Sequence, residues 1–217
     1  MKKKNHFVVM LMLIAMLLVA AGCQSPHSTT DDASQQQNNA GENAFNSVSG
    51  NSTSLIDLIA GTYSAKKFIA QPVDEELIRQ ILESGAKAPS ARNLQPWHFT
   101  VVKDFDMVSK LAGQAAEGCV AIIVSGLTEE QPGVNAIFDC GLATQNMYLA
   151  AQSLGLGAHL YAGPVSHVNA QYRENLGIPD GYDAEIILCV GYVDPEVDAV
   201  SSASVRNPLA DMVNYVE

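Results

Sequence analysis

Positive charge is in short supply in this chain. Its 217 residues carry 12 Lys and Arg against 23 Asp and Glu, a formal net charge of −11, and three of the cations, Lys2, Lys3 and Lys4, sit together at the N-terminus. So acidic a remainder excludes nucleic acid and anionic lipid headgroups as partners, because both demand a basic face. Cysteine is sparse too. Cys23, Cys119, Cys140 and Cys189 stand far apart with no C-x-x-C pair, which removes the zinc-ribbon and thioredoxin-type readings. H-E-x-x-H, G-x-S-x-G, the Walker loop and a G-x-G-x-x-G after a strand are all missing, so no metal site and no nucleophile elbow is expected. The "GLG" of Gly155–Gly157 follows a helical pattern rather than opening one and reads as a helix end.

Long apolar runs are also rare, and the one present is informative. "MKKKNHFVVMLMLIAMLLVAAGC" sets three lysines before an unbroken apolar run from Phe7 to Ala21 that ends at Gly22-Cys23. A basic head and an apolar stretch too short to span a bilayer with ease predict a signal segment over residues 1–22. The "AAGC" ending resembles the lipobox of bacterial lipoproteins, which implies a lipid on Cys23; an uncleaved membrane anchor is the alternative. Either places the rest outside the cytoplasm, tethered to the cell membrane. Residues 23–53 are Ser, Asn, Gln, Thr, Asp and Ala with almost no large apolar residue, a composition that cannot offset ordering entropy and predicts a flexible polar tether. Residues 54–217 are one domain's length.

Within that domain the hydrophobic period alternates between helix and strand. "STSLIDLIAG" and "VDEELIRQILESGAKAP" place apolar residues on one helical face, with acidic residues in the first turn of the second and Gly85 and Pro89 closing it. "WHFTVV" alternates like a half-buried strand, and "GCVAIIVSG" is a short continuous apolar run suited to a central strand. "VNAIFDCGLATQNMYLAAQSLGLG" predicts the core helix, "AHLYAG" a strand, "SHVNAQYRENLG" a helix, "IPDGYD" a turn and "AEIILCVGYVD" the last core strand. The order lacks a strict βαβ rhythm, so the expected class is α+β, a sheet packed with helices. Cys119, Cys140 and Cys189 sit among apolar neighbours and read as buried thiols, a bridge between two of them being the alternative.

Three separated stretches offer polar chemistry. "TYSAKKF" supplies Ser64, Lys66 and Lys67; "PSARNLQPWHF" supplies Ser90, Asn93 and Gln95 beside prolines that restrict the backbone; "SVRNPL" supplies Arg206. Each alone is an ordinary solvated loop. In this order, with "PV-DEEL--ILE-A--APSA-N-QPW-F-VV" and a long helix ending "LGLG", they make the chain from Leu55 to Val213 resemble the nitroreductase family of flavin enzymes.

The resemblance implies a nitroreductase-like α+β fold, with a central, mostly antiparallel sheet flanked by helices, working as a homodimer with FMN at the subunit interface. Ser64 and Lys66 are implied to meet the phosphate and polar ring atoms, and Arg206 to be the second phosphate cation. Pro89, Ser90 and Ala91 come from the partner subunit in that picture. Asn93 bonds the ring or ribityl side, and Ala162 and Gly163 aim N–H groups at the ring's N5 and O4. The implied activity is FMN-dependent oxidoreduction between a small-molecule donor and a small acceptor, nitroaromatic or quinone-like, with no side chain needed as acid or base. His98, His159 and His167 are left with packing or surface roles. Two departures from the family pattern stand out. Thr62-Tyr63 occupies the place of an Arg, and the Lys103–Asn135 segment is short, leaving the flavin face open. Both speak for the alternative function, a lipid-anchored flavin-binding or interaction protein without turnover; with NAD(P)H scarce outside the cytoplasm, a membrane quinol or another exported redox protein is the donor expected for an enzyme.

Overall fold

Apolar spacing and capping set the helices of the structure, a computed structural model that describes residues 54–194 and 205–217. The expected signal segment, Cys23 and the tether lie outside the described residues. Helix α1 spans Leu55–Gly61, with the Ser54 hydroxyl accepting from the Asp57 N–H at 3.1 Å. Helix α2, Glu75–Ala86, opens with Glu75 and Glu76, where carboxylates favour the positive helix end. Helix α3, Phe105–Leu111, is capped by the Asp104 side chain on the Met107 N–H at 3.0 Å. It was not foreseen, because seven residues give too short a window for periodicity to stand out. Helix α4, Ala136–Ser153, is capped by Asn135 and ends at Gly155, whose φ of +80° is the left-handed conformation of a helix terminus.

Four strands form one antiparallel sheet: β1 Trp97–Val102, β2 Val120–Leu127, β3 Gly157–Tyr161 and β4 Tyr182–Gly191, in the order β1-β2-β4-β3. The predicted α+β class with a mostly antiparallel sheet therefore holds. Strand period two then divides the core. Val120, Ile122, Val124, Leu188 and Val190 face α2 and α4, where Ile78, Ile81 and Met147 are buried. Ala121, Ile123, Ile187 and Cys189 face the opposite layer, built from Val108 and Leu111 of α3 together with Ala65, Phe68 and Val168. The run "CVAIIV" is thus continuous because both faces of β2 are covered.

Two expectations shift in detail. Gly85 does not close α2 but sits inside it, where an added Cβ would lie 2.6 Å from Met147 Cγ, so glycine is there for close packing of α2 on α4. The predicted "SHVNAQYRENLG" helix is broken: a single turn α5, Val165–His167, passes into a π turn, Val168–Tyr172. The reason lies in β4. Strand β3 stops at Tyr161 opposite Ile187, and Asn169 on the π turn bonds both backbone groups of Ala184, donating to its oxygen at 3.0 Å and accepting from its N–H at 2.8 Å. The wider turn brings that amide to an uncovered strand edge and satisfies it.

Candidate functional site

At the β3 edge of the sheet, the segment Ser64-Ala65-Lys66 runs alongside the strand. Ala65 is fully buried; its N–H donates to the Ala158 oxygen at 2.9 Å, and its carbonyl faces His159 Nδ1 at 2.7 Å. Extended backbone then sends the neighbouring side chains the other way, so Ser64 and Lys66 are both exposed. Gly157 permits the approach: a Cβ there would lie 2.9 Å from Ala65 Cβ and 2.3 Å from Val193 Cγ1. Two groups able to bind an anion, a hydroxyl and an ammonium, thereby flank a pinned residue. Upstream, Thr62 and Tyr63 are occupied structurally. The Thr62 hydroxyl donates to the Ile59 oxygen at 2.9 Å, and the Tyr63 carbonyl accepts from the Tyr148 hydroxyl at 2.6 Å. Neither replaces an absent cation.

The same edge leads to Ala162 and Gly163, which leave the sheet where Asn169 takes over the pairing of β4. Both are exposed, nothing lies within 4 Å of a Cβ placed on Gly163, and among the described residues no acceptor takes either N–H. A cleft of about 420 Å³ opens beside Gly163, walled by Lys110, Pro164, His167 and Tyr172.

The loop Pro89–Gln95 stands at the other edge, before β1. Three of its residues other than glycine have positive φ, Arg92 (53°), Asn93 (55°) and Gln95 (49°), a conformation that costs energy for a residue with a Cβ and persists only where surroundings enforce it. The enforcement is local and visible. Ser90 Oγ accepts from the Gln95 N–H at 2.9 Å, Asp139 Oδ2 accepts from the Ala91 N–H at 3.2 Å, and the Arg92 guanidinium donates to the Pro132 oxygen. Asn93 is exposed, and Trp97 lies stacked on Phe99 at 6.4 Å on the α2–α4 side of the sheet. Asp139, only 3% exposed in the first turn of α4, is the residue that sequence reasoning missed. An acid inside the apolar "IFDCGLA" was the signal.

Strand order fixes what one subunit brings together. Ser64, Lys66, Ala162 and Gly163 share the β3 edge, whereas Pro89, Ser90, Ala91 and Asn93 belong to the β1 edge, three strand spacings or about 14 Å across. Arg206 lies in the exposed segment 205–217, where its guanidinium reaches its own neighbour, the Val205 oxygen, at 3.4 Å.

The cysteines do not compete for a redox role. Among the described residues, Cys119, Cys140 and Cys189 are buried thiols with no disulfide. Burial, helped by the carboxylates of Glu185 and Asp139, pushes the Cys140 thiol up to about 12, so it stays protonated and unreactive. Cys189 is pushed up as well, first by its hydrogen bond with Cys119 and then by burial.

The donor set suits one kind of ligand: a hydroxyl and ammonium for a phosphate, exposed N–H groups for an electron-rich ring edge, and an amide on a stiff loop for the same ring's polar side. Comparison with known proteins agrees with this. The model described as "Nitroreductase family" matches residues 59–125 and 109–192. The chain is 32% identical over 154 residues, covering 67% of its own length and 88% of the relative's, to a candidate NADH dehydrogenase/NAD(P)H nitroreductase of Archaeoglobus fulgidus. It is 31% identical over 163 residues, 65% of this chain and 68% of the relative, to an NADPH-flavin oxidoreductase of Vibrio harveyi. Among solved structures, it is similar to a nitroreductase with bound FMN from Desulfitobacterium hafniense, with 26% identity, a TM-score of 0.59, and coverage of 75% of this chain and 97% of that one.

Proposed function

Because this chain belongs to the nitroreductase family, we propose that it is an FMN-dependent oxidoreductase that moves electrons or hydride from a small-molecule donor to a small acceptor such as a nitroaromatic or a quinone. The observation that carries the reading is the pinned Ser64-Ala65-Lys66 segment, whose exposed hydroxyl and ammonium match a phosphate dianion. FMN, when bound, supplies the exchange of hydride and single electrons. The chain's own residues hold and tune it. Lys66 and Arg206 neutralise the phosphate while the Ser64 hydroxyl donates to it, Ala162 and Gly163 offer N–H groups to the ring's polar edge, and Asn93 reads that edge from a loop already locked in shape. No side chain has to move a proton.

The separation of the two edges favours a homodimer in which Pro89, Ser90, Ala91 and Asn93 come from a second copy, since one subunit cannot fold its β1 edge onto its β3 edge. Apolar side chains at that end support the same arrangement: Ile137, Phe138 and Leu94 are 64%, 62% and 43% exposed, more than a lone subunit ordinarily leaves clustered in water.

The basic-apolar N-terminus and "AAGC" support a further element, lipid attachment at Cys23 and a place outside the cytoplasm. With NAD(P)H scarce there, a membrane quinol or an exported redox protein becomes the donor. The absorption spectrum of the purified protein tests the central reading. A yellow protein whose flavin bleaches anaerobically on adding a donor and recovers with a nitroaromatic or quinone is expected; a colourless protein that takes up no added FMN overturns it. Bleaching by NADH but not by quinol rejects the quinol donor. Detergent-phase partition lost in Cys23→Ala tests the anchor.

A second reading has one observation in its favour. Thr62 and Tyr63 stand tied into the α1–α4 contact where the family pattern has an Arg, so the phosphate site is one cation poorer. A tethered flavin-binding protein without turnover follows if the protein is yellow yet no donor and acceptor pair cycles it.

A further inference from the structure

His159 was left with a packing role by the sequence, yet its ring is the one side chain that touches the backbone of the phosphate segment from β3. We infer that His159 is a positioning residue for the phosphate end of the site: its Nδ1–H holds the Ala65 carbonyl and so fixes how Ser64 and Lys66 are presented. This rests on the FMN reading above.

His159 Nδ1 lies 2.7 Å from the Ala65 oxygen. A carbonyl oxygen only accepts, so a proton is on Nδ1 and the ring nitrogen donates. The ring is further restrained by Tyr161, whose centroid lies 4.5 Å away at a tilt of 40°. Ala65 has no exposed surface, so its carbonyl has no recourse to water, and removing the imidazole would leave a buried acceptor unsatisfied.

Geometry turns that local bond into a functional one. The Ala65 carbonyl and the Lys66 N–H belong to the same planar peptide unit and point in opposite directions. Turning the carbonyl toward β3 therefore turns the Lys66 N–H away from it. With Ala65 N–H bonded to Ala158 at the other end, both peptide units flanking Ala65 are fixed. The backbone that carries the hydroxyl and the ammonium, two residues apart, then does not have to be ordered by the ligand, and preorganisation of this kind raises affinity by lowering the ordering cost of binding. Gly157 makes room for this arrangement and Ala158 anchors it, but only His159 does so through a replaceable side chain.

The test separates phosphate recognition from ring recognition. Full-length wild type, His159→Leu and His159→Asn, each freed of flavin, are titrated with FMN and with riboflavin, following quenching of flavin fluorescence. His159→Leu is expected to weaken FMN about tenfold while leaving riboflavin within about twofold, and His159→Asn, whose amide keeps an N–H donor, to recover most of the loss. The ratio of the two affinities cancels any general loosening of the fold. Unchanged FMN affinity in His159→Leu, equal losses for both flavins, or no recovery in His159→Asn would overturn the inference while leaving the functional reading intact. Wild type that binds neither flavin overturns both.

Discussion

At the β3 edge, Ser64-Ala65-Lys66 is held from outside, by Ala158 and His159 of β3 on the backbone of Ala65. At the β1 edge, Ser90–Gln95 is the reverse: three left-handed residues held largely by the loop's own Ser90, with Asp139 and Pro132 as external anchors. One half presents an exposed hydroxyl and an ammonium without left-handed residues; the other stores strain to fix the shape of an exposed polar loop. The difference teaches that charge recognition tolerates mobile side chains on a fixed backbone, because attraction falls off slowly with distance. Hydrogen bonding to a flat ring tolerates much less misplacement.

That contrast can be broken or sharpened by substitution. The largest effect is expected from Gly157→Ala, which forces a methyl into the Ala65 and Val193 contact and displaces the β3-edge segment as a unit. Overpacking of this kind costs about 1–3 kcal/mol, so thermal unfolding should occur several degrees earlier and FMN should be lost on dilution. Next is Lys66→Ala. Removing one charge-assisted contact should weaken FMN about ten- to hundredfold while sparing riboflavin and the melting temperature, and the dependence of FMN binding on salt should flatten in parallel.

At the β1 edge, Ser90→Ala removes the acceptor for the Gln95 N–H. A loss of about 1 kcal/mol is expected, felt by FMN and riboflavin alike because shape rather than charge is damaged. Isothermal titration with both flavins would show it; a loss confined to FMN would erase the distinction between the two edges.

The smallest effect is a pH dependence near the β1-edge anchor. Burial, and then the neighbouring Asp183 carboxylate, raise the Glu185 carboxyl above its ordinary value, and its side chain lies close to Gly126 and, across it, Cys140. A raised pKa in the fold means that the protonated form is favoured there. The resulting stabilisation is present below the unfolded-state value, about 4.3, and disappears as pH rises through the folded value. Glu185→Gln should accordingly raise the melting temperature slightly at pH 8 and leave it unchanged at pH 4, as differential scanning calorimetry can establish. A larger gain at pH 4 would reverse the assignment.

Much of the fold was legible because hydrophobic period survives in short windows: the alternation of "WHFTVV" and the continuous "CVAIIV" became β1 and the doubly covered β2. Boundaries failed where a tertiary partner decided them. Gly85 reads as a stop signal by type but serves to seat Met147, and the π turn at Val168–Tyr172 exists to bring Asn169 to Ala184. Ser64, Lys66, Asn93 and Arg206, all four exposed in the structure, were legible as polar residue types in an order that resembles the family. Asp139 was not, because an acid in an apolar helix turn carries no mark of the loop, 48 residues earlier, whose N–H it receives.

By itself, then, the amino-acid order determined the class of the fold, the acidic charge balance, and the order of polar residue types that resembles the family. These follow from local spacing and charge, which do not depend on what packs where. Only the tertiary structure decided that the β3-edge and β1-edge groups stand on opposite sides of one sheet, and that a histidine holds the backbone between a serine and a lysine. Strand order and hydrogen-bond partners over long separations arise from packing the whole chain at once.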